Sequence, residues 1–387
     1  MENNEGTAGN QDKRLSFTKT LTVIIMAFTA VLIVSLVLLY FVSKREKSLA
    51  GAEQYIKLSA QGGFNCEYSE AQKLYPFSEG VMKITGERIA YLTLSGNDIY
   101  TASINYKNPS CINNGKYCLV YDLNGYAFTV LNKTQVVYSS PTTKQIKGAS
   151  LSDSGFAAII TTDETSYGNV YIYDSMGNVI SEWNSYNSGY PLSVSFNDKS
   201  DKLAVTTVNT TGATTVPYIR IFDITETERG LIVQDNSFYT TDTNDVLATC
   251  FFIGDNLYAF SASHLFKVTG DKLEQVKLDF TVANYSVLVG NHIFLVFADG
   301  VDQLNKLAVI DKNDKIVYSS EMGSQVHCVC KGDGVFAISV DERIFVFNES
   351  GSVIGDVAVD QDILRMGFVS GRELCVVSTG GVHTVNY

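Results

Sequence analysis

Histidine and acidic side chains are the residues of this sequence best suited to acid–base catalysis or metal binding. The four histidines (His264, His292, His327 and His383) are far apart, and no two have the four-residue helical spacing of a metal site. Residues 242–245 (DTND) offer oxygen ligands but lack the glycine and distal glutamate of a calcium loop. No Gly-x-Ser-x-Gly elbow is present. We therefore predict no catalytic site, metal site or cofactor.

Cysteine chemistry offers a second candidate, because two of the seven cysteines flank a strong turn in CINNGKYC. Asn114-Gly115 is typical of a two-residue hairpin turn. That turn would place Cys111 directly opposite Cys118 as a hydrogen-bonded pair, whose Cα atoms lie about 5.5 Å apart. The distance permits a disulfide, so Cys111–Cys118 is a possible disulfide. Cys328 and Cys330 are expected to be buried thiols.

A third candidate is a group of aromatic and acidic residues in long loops near the middle of the chain. These loops cover 161–169, 184–190, 208–217, 234–245 and 298–305. Aromatic side chains in polar loops suit contact with a protein or glycan, because they bring a large rigid surface at low entropic cost. The candidate partner-binding residues are Tyr167, Tyr186, Tyr190, Phe238, Tyr239, Asp242 and Asp245.

The elements that must position these residues are short strands in a repeating unit. Residues 169–183 (NVYIYDSMGNVISEW) show two alternating apolar runs around a glycine-bearing turn, which predicts an antiparallel hairpin. Equivalent positions recur at intervals of roughly 37 to 49 residues, and four short strands in such an interval are typical of a propeller blade. They are Ile89, Ala127, Val170, Ile219, Leu265, Leu307, Ile344 and Val382. We predict an all-β, eight-bladed β-propeller, with seven blades as the alternative.

The eighth unit ends at Tyr387 after only three strands. A strand from within 54–66 would complete that blade and close the ring, which would remove open sheet edges.

One segment near the amino-terminal end has the length and apolar character of a transmembrane helix. No charged residue lies between Lys19 and Lys44, and 21–42 would form a helix of about 33 Å. We predict a disordered tail over 1–20, a transmembrane helix over 21–42 in contact with the lipid bilayer, a linker over 43–60 and the propeller over 61–387. Flanking charges are balanced, but a first apolar segment normally directs export of the domain behind it. This favours an inner amino terminus and an outer propeller at the cell membrane.

The net charge of −12 excludes one class of partner. An acidic body repels phosphate backbones, so nucleic acid is not an expected partner.

The hairpin segments at 170–180, 219–224, 307–317 and 344–354 resemble those of WD40-like and quinoprotein-like propellers. The whole layout is similar to an uncharacterised Firmicutes family of single-span membrane proteins with a propeller body, domain of unknown function 5711. That resemblance implies a location in the bacterial cell envelope and supplies no catalytic residues. Quinoprotein enzymes repeat a tryptophan in most blades and usually carry an adjacent cysteine pair, whereas this chain has only Trp183 and no adjacent cysteines.

The function that these observations favour is a membrane-anchored, extracytoplasmic, non-enzymatic platform that binds a protein or glycan. A sensor or accessory subunit of a membrane complex is the alternative, and a quinoprotein-type enzyme is the less favoured one.

Overall fold

A computed structural model describes Ser35 and residues 54–241, 244–278, 281–298 and 305–387, with only the backbone at 54 and 281–288. The predicted tail over 1–20, the predicted membrane helix over 21–42 apart from Ser35, and the part of the predicted linker before residue 54 lie outside the described residues. Within the described ranges, no helix has the length and apolar character needed to cross a membrane. Residues 54–387 form one compact unit.

The compact unit begins with three short elements. They are β1 (Gln54–Ile56), a 3-10 helix (Leu58–Ala60) and β2 (Gly63–Asn65). The next sixteen strands form four sheets, each an antiparallel meander of four strands. Blade 1 contains β3 (Gln72–Phe77), β4 (Gly80–Thr85), β5 (Arg88–Thr93) and β6 (Asp98–Ser103). Blade 2 contains β7 (Pro109–Asn113), β8 (Tyr117–Asp122), β9 (Ala127–Asn132) and β10 (Val136–Pro141). Blade 3 contains β11 (Ile146–Leu151), β12 (Ala157–Thr161), β13 (Asn169–Tyr173) and β14 (Val179–Asn184). Blade 4 contains β15 (Tyr190–Phe196), β16 (Lys202–Asn209), β17 (Val216–Thr227) and β18 (Gly230–Thr240).

The remaining fifteen strands build four more sheets in the same order. Blade 5 contains β19 (Thr249–Ile253), β20 (Asn256–Phe260), β21 (His264–Thr269) and β22 (Lys272–Lys277). Blade 6 contains β23 (Thr281–Val289), β24 (His292–Ala298), β25 (Lys306–Ile310) and β26 (Ile316–Glu321). Blade 7 contains β27 (Val326–Lys331), β28 (Val335–Val340), β29 (Arg343–Asn348) and β30 (Val353–Val359). Blade 8 contains β31 (Ile363–Ser370), β32 (Glu373–Ser378) and β33 (Gly381–Asn386). The prediction of an eight-bladed, all-β propeller is confirmed.

The amino-terminal strands complete the ring, as the truncated eighth unit predicts. β2 pairs antiparallel with β33 and becomes the fourth strand of blade 8. Gly63 lies in this strand at φ +134°, and a Cβ there would come within 2.0 Å of the Val382 carbonyl oxygen. Only glycine allows the two backbones to approach so closely.

A fifth strand on blade 7 is a feature that the sequence analysis missed. β1 pairs in parallel with β30, and the backbone N–H of Leu58 donates to Asp360 Oδ1 at 2.8 Å. Leu58 is fully buried. The propeller therefore begins at Gln54, before the boundary at 61 that we expected, and residues 54–60 are part of the body rather than of a linker.

The core lies between adjacent blades rather than within any one of them. Second strands such as β12 are buried along their whole length, because a neighbouring blade covers each face. Phe294 of blade 6 and Phe336 of blade 7 stack with ring centroids 4.4 Å apart. Trp183 of blade 3 packs against Phe222 of blade 4, with ring centroids 5.7 Å apart, so this tryptophan lies between blades.

Aromatic residues of outer strands dock several blades onto the next one. A Cβ on Gly177, in the turn between β13 and β14, would come within 2.7 Å of the Tyr138 ring of blade 2. Gly351 has the same relation to Tyr318 of blade 6. Tyr100 of blade 1 donates its hydroxyl to the carbonyl oxygen of Asn132, in the corresponding turn of blade 2. Tyrosine and glycine thus provide contacts that tryptophan provides in other propellers.

The hairpin that carries Cys111 and Cys118 has a different register from the one we predicted. Cys118 lies opposite Asn113, and Cys111 lies opposite Val120. Asn114 Oδ1 accepts hydrogen bonds from the backbone N–H groups of Lys116 and Tyr117, which widens the turn to residues 114–117. Both thiols are free, and their Sγ atoms lie 3.3 Å apart on a diagonal. The prediction that the cysteines face each other directly is therefore wrong, because a side-chain-stabilised turn replaces the two-residue turn.

Candidate functional site

The candidate site lies on one face of blades 3 and 4, which we call the loop face. In an antiparallel meander the second and fourth strands end on the same side of the sheet. The loops at 162–168, 185–189, 210–215 and 241–248 therefore leave from this side. They carry or flank most of the aromatic candidates that the sequence indicated.

Tyr167 and Tyr190 form the first aromatic pair of the loop face. Their ring centroids lie 5.1 Å apart in an edge-to-face arrangement, a geometry that the ring quadrupoles favour. The backbone holds the pair, because Tyr167 N–H donates to Ser185 O and Ser185 N–H donates to Gly168 O, both at 2.9 Å. Tyr190 remains 49% exposed. The backbone thus holds the two rings together, and Tyr190 is accessible to a partner.

Tyr218 and Phe238 form the second pair, on the outer strands of blade 4. Their rings stack with centroids 5.0 Å apart and planes inclined by 22°. The guanidinium of Arg220 lies 4.5 Å from the Phe238 ring centroid and 5.4 Å from that of Trp183. Phe238 is 48% exposed. An arginine that is stacked on aromatic rings presents a preorganised surface to a partner.

Arg220 also connects the two blades by hydrogen bonds. Its Nε and Nη2 atoms donate to Ser188 Oγ, both at 3.1 Å, in the loop between blades 3 and 4. Nη1 pairs with Asp235 at 2.5 Å. The loop that carries Tyr186 is therefore fixed at its centre, while Tyr186 itself is 60% exposed.

We define the aromatic cluster as Tyr167, Tyr186, Tyr190, Tyr218, Arg220 and Phe238. Sequence reasoning found four of these residues and missed Tyr218 and Arg220. Both lie two positions apart on β17, so they share a face of that strand. In the structure β17 pairs with β18, which places Tyr218 and Arg220 beside Phe238. The register of that pairing could not be predicted from the sequence.

An ion pair at the base of the Tyr167 loop holds its conformation. Lys144 Nζ lies 2.7 Å from Asp163 Oδ1. The hydroxyl groups of Ser166 and Thr165 donate to Asp163 Oδ2 at 2.6 and 2.9 Å. The hydrogen bond from Lys144, followed by that from Ser166, holds the pKa of Asp163 well below its usual range. The carboxylate is therefore charged at neutral pH and organises the residues that precede Tyr167.

Two other predicted residues, Tyr239 and Asp245, do not join the aromatic cluster. Tyr239 donates its hydroxyl to the Gly270 carbonyl oxygen of blade 5 at 3.1 Å, so it docks two blades. Asp245 accepts hydrogen bonds from Ser261 at 2.8 Å and Ser263 at 3.1 Å, and it contacts His264 Nδ1 at 2.6 Å. Burial raises the pKa of Asp245, but these hydrogen bonds outweigh burial and the net shift is downward. Asp242 lies outside the described residues.

The contact between Asp245 and His264 resembles part of a catalytic triad but has the wrong geometry. Asp245 and Ser263 both contact Nδ1 of His264, at 2.6 and 2.9 Å. A Ser-His-Asp triad needs the carboxylate and the hydroxyl on opposite ring nitrogens. Within the described ranges, no group of three or more His, Cys, Asp or Glu side chains is placed to hold a metal ion.

Seven four-stranded sheets and one five-stranded sheet, in a ring that the amino-terminal strand β2 completes, define this protein as a β-propeller. The chain belongs to a family of unknown function, DUF5711, which it matches over residues 52–386. No curated protein sequence is significantly similar to it.

Several solved propellers share the fold at low sequence identity. BamB from Moraxella catarrhalis has a TM-score of 0.52 and 10% identity, over 85% of this chain and 99% of that one. AztD from Citrobacter koseri has a TM-score of 0.53 and 10% identity, over 75% and 87%. Sqt1 from Chaetomium thermophilum, solved bound to the amino terminus of the ribosomal protein L10, has a TM-score of 0.54 and 11% identity, over 82% and 92%. At these identities the likeness establishes the fold alone.

Proposed function

We propose that this protein is a non-enzymatic binding platform, anchored in the membrane with its propeller outside the cytoplasm, and that its loop face binds a protein partner. The exposed aromatic cluster is the observation that carries the proposal. Two ring pairs and a stacked arginine, held by backbone and side-chain hydrogen bonds, converge at the junction of blades 3 and 4.

Residue type and rigidity both support a protein partner. Tyrosine, tryptophan and arginine supply most of the binding energy in protein interfaces. A preorganised cluster also loses little side-chain entropy when a partner binds. Sqt1 was solved in complex with a ribosomal protein segment, so a propeller of this architecture is compatible with such a role. The apolar stretch over 21–42 supports the membrane anchor.

A site-specific crosslink tests the proposal in intact cells. A photoreactive phenylalanine analogue at Tyr186 of the full-length chain should capture a partner, and the same analogue at Tyr55 should not. Tyr55 is a matched control because it is 67% exposed on β1 at blade 7. Binding of the purified protein to a glycan array would instead assign a glycan ligand to the loop face.

The affinity of the captured partner is then measured with the double variant Tyr186→Ala/Tyr190→Ala. Because truncation of an interface anchor costs about 2 kcal/mol or more, we expect at least a thirtyfold loss of affinity. Tyr55→Ala should leave the affinity unchanged. Equal affinity for wild type and the double variant would place the site elsewhere, and a large fall in melting temperature would show that these tyrosines are structural.

A further inference from the structure

The first strands of the eight blades have an unusual distribution of charge. These inner strands (β3, β7, β11, β15, β19, β23, β27 and β31) surround the central channel of a propeller. None of the eight, as the structure bounds them, contains Asp or Glu. Four of them carry a cation: Lys73, Lys147, Lys331 and Arg365. By contrast, six outer strands carry one acidic residue each: Asp98, Glu182, Asp235, Glu274, Glu321 and Asp356.

Arg365 is a partly buried cation of this wall. Its guanidinium carbon lies 4.3 Å from the Tyr75 ring centroid, and Nη1 donates to the Leu74 carbonyl oxygen at 3.4 Å. Among the described residues, no carboxylate lies within 4.0 Å of it. A half-buried cation loses part of its hydration free energy, and a bound anion would compensate for that loss.

Arg365 lines a cavity of about 370 Å³ formed by blades 7, 8, 1 and 2. Its other cation is Lys331, and its apolar walls include Met366 and Phe368. No acidic residue lines this cavity. A second cavity of about 270 Å³ shares Arg365 but is also lined by Glu67 and Glu70, which disfavour an anion there. The larger cavity lies within the usual size range of small-molecule sites, roughly 300–1,000 Å³.

We propose that this cavity of the central channel binds a small organic anion, with its carboxylate or phosphate group on Arg365 and its apolar body against Met366 and Phe368. The planar guanidinium matches either group by paired hydrogen bonds. Tyr75 stacks on the guanidinium and fixes its orientation, and Lys331 adds a second positive charge at the same cavity. The site is separate from the loop face and does not depend on a partner binding there.

Binding of simple probes to the purified full-length chain tests this proposal. Benzoate and phenyl phosphate are titrated at constant ionic strength by ligand-observed NMR, with neutral benzyl alcohol as the uncharged comparison. We expect both anions to bind at millimolar concentration or below, and benzyl alcohol to bind more weakly. Tighter binding of phenyl phosphate assigns a phosphate ligand, and tighter binding of benzoate assigns a carboxylate.

Arg365→Gln should weaken anion binding at least about tenfold and leave benzyl alcohol unaffected. Arg343→Gln is the matched control, because Arg343 also stacks on an aromatic ring, Phe345, but pairs with Asp356 and does not line the cavity. We expect the affinity of the Arg343→Gln variant for benzoate and phenyl phosphate to stay within about twofold of wild type.

Lys331→Glu provides a second variant at an exposed position, so the test does not depend on the folding of Arg365→Gln. It reverses the charge at the cavity and should also weaken anion binding about tenfold. Failure of both anions to bind the wild type at millimolar concentration would overturn the proposal. So would an unchanged anion affinity in either cavity variant, or benzyl alcohol binding as tightly as benzoate.

Discussion

Trp183 and Tyr186 lie three positions apart in the sequence but have different environments. Trp183 packs between blades 3 and 4 against Phe222, under the guanidinium of Arg220. Tyr186 projects from the following loop and is largely exposed. At the residue scale, Trp183 thus belongs to the core between blades, whereas Tyr186 belongs to the candidate interface.

Trp183→Ala should lower the free energy of unfolding by about 3 kcal/mol, because it leaves a cavity between two blades. Tyr186→Ala is the matched control and should change it by no more than about 0.5 kcal/mol. Chemical denaturation of both variants, followed by circular dichroism, measures the difference. Equal destabilisation by the two changes would contradict the assignment of Trp183 to the core.

Asp163 should make the stability of the protein depend on acid pH. Folding lowers the pKa of this carboxyl group, through the hydrogen bonds from Lys144 and Ser166. Its contribution is therefore complete above the unfolded pKa of about 3.9 and is lost as the pH falls further through the folded pKa. Asp163→Asn should melt below wild type near neutral pH, and the gap should narrow below about pH 4.

Melting curves between about pH 7 and pH 2 measure this gap. Asp98→Asn is the control, since Asp98 pairs with Arg88 at a position where both side chains are about half exposed. Exposed pairs contribute little, so this variant should follow wild type at every pH. A constant gap between wild type and Asp163→Asn would show that the loss is not due to the charge of Asp163.

At the element scale, closure of the ring depends on a three-residue strand. β2 supplies the fourth strand of blade 8, while β1 extends blade 7, so one segment of 54–65 covers the edges of two adjacent blades. Open edges expose unpaired backbone groups and promote aggregation. The segment thus contributes both to stability and to solubility.

Gly63→Val should disrupt the pairing of β2 with β33 that closes the ring. A side chain at Gly63 would meet the Val382 carbonyl oxygen, and the positive φ of 134° adds strain. We expect a loss of roughly 3 kcal/mol together with concentration-dependent aggregation. Gly323→Val is the control, because nothing lies within 4 Å of the added Cβ. Melting and light scattering distinguish the two variants, and identical behaviour would argue against closure through β2.

At the scale of the whole molecule, the orientation in the membrane remains a prediction from the order of segments. A cysteine at Ser16 should react with a membrane-impermeant thiol reagent only after lysis, whereas Met176→Cys should react in intact cells. Met176 is 74% exposed. The reverse pattern would place the propeller on the cytoplasmic side.

Three of the native cysteines should contribute little background to this labelling experiment. Burial raises the pKa of Cys250 and of Cys375 to about 12, and that of Cys328 to about 11. Because the thiolate is the reactive species, these three residues should label slowly in the folded protein. The unmodified chain, labelled in parallel, gives the reference signal.

The sequence by itself predicted the repeated four-strand unit and the place of most strands, and it favoured eight blades over seven. Alternation of apolar residues is a local property, and glycine-bearing turns such as 174–177 separate the strands wherever they occur. The three-strand last unit also indicated that an amino-terminal strand completes the ring. These features could be predicted because a propeller repeats the same local pattern in each blade.

Only the tertiary structure decided which side chains meet. The Asn114 side chain accepts two backbone hydrogen bonds and changes the register of its hairpin, so the two cysteines are diagonal rather than opposite. Arg220 joins the aromatic cluster through contacts within blade 4 and with blade 3, and Arg365 of blade 8 stacks on Tyr75 of blade 1, which is distant in the sequence. Strand pairing and blade packing are set by the free energy of the whole ring, and a periodic local pattern does not contain that information.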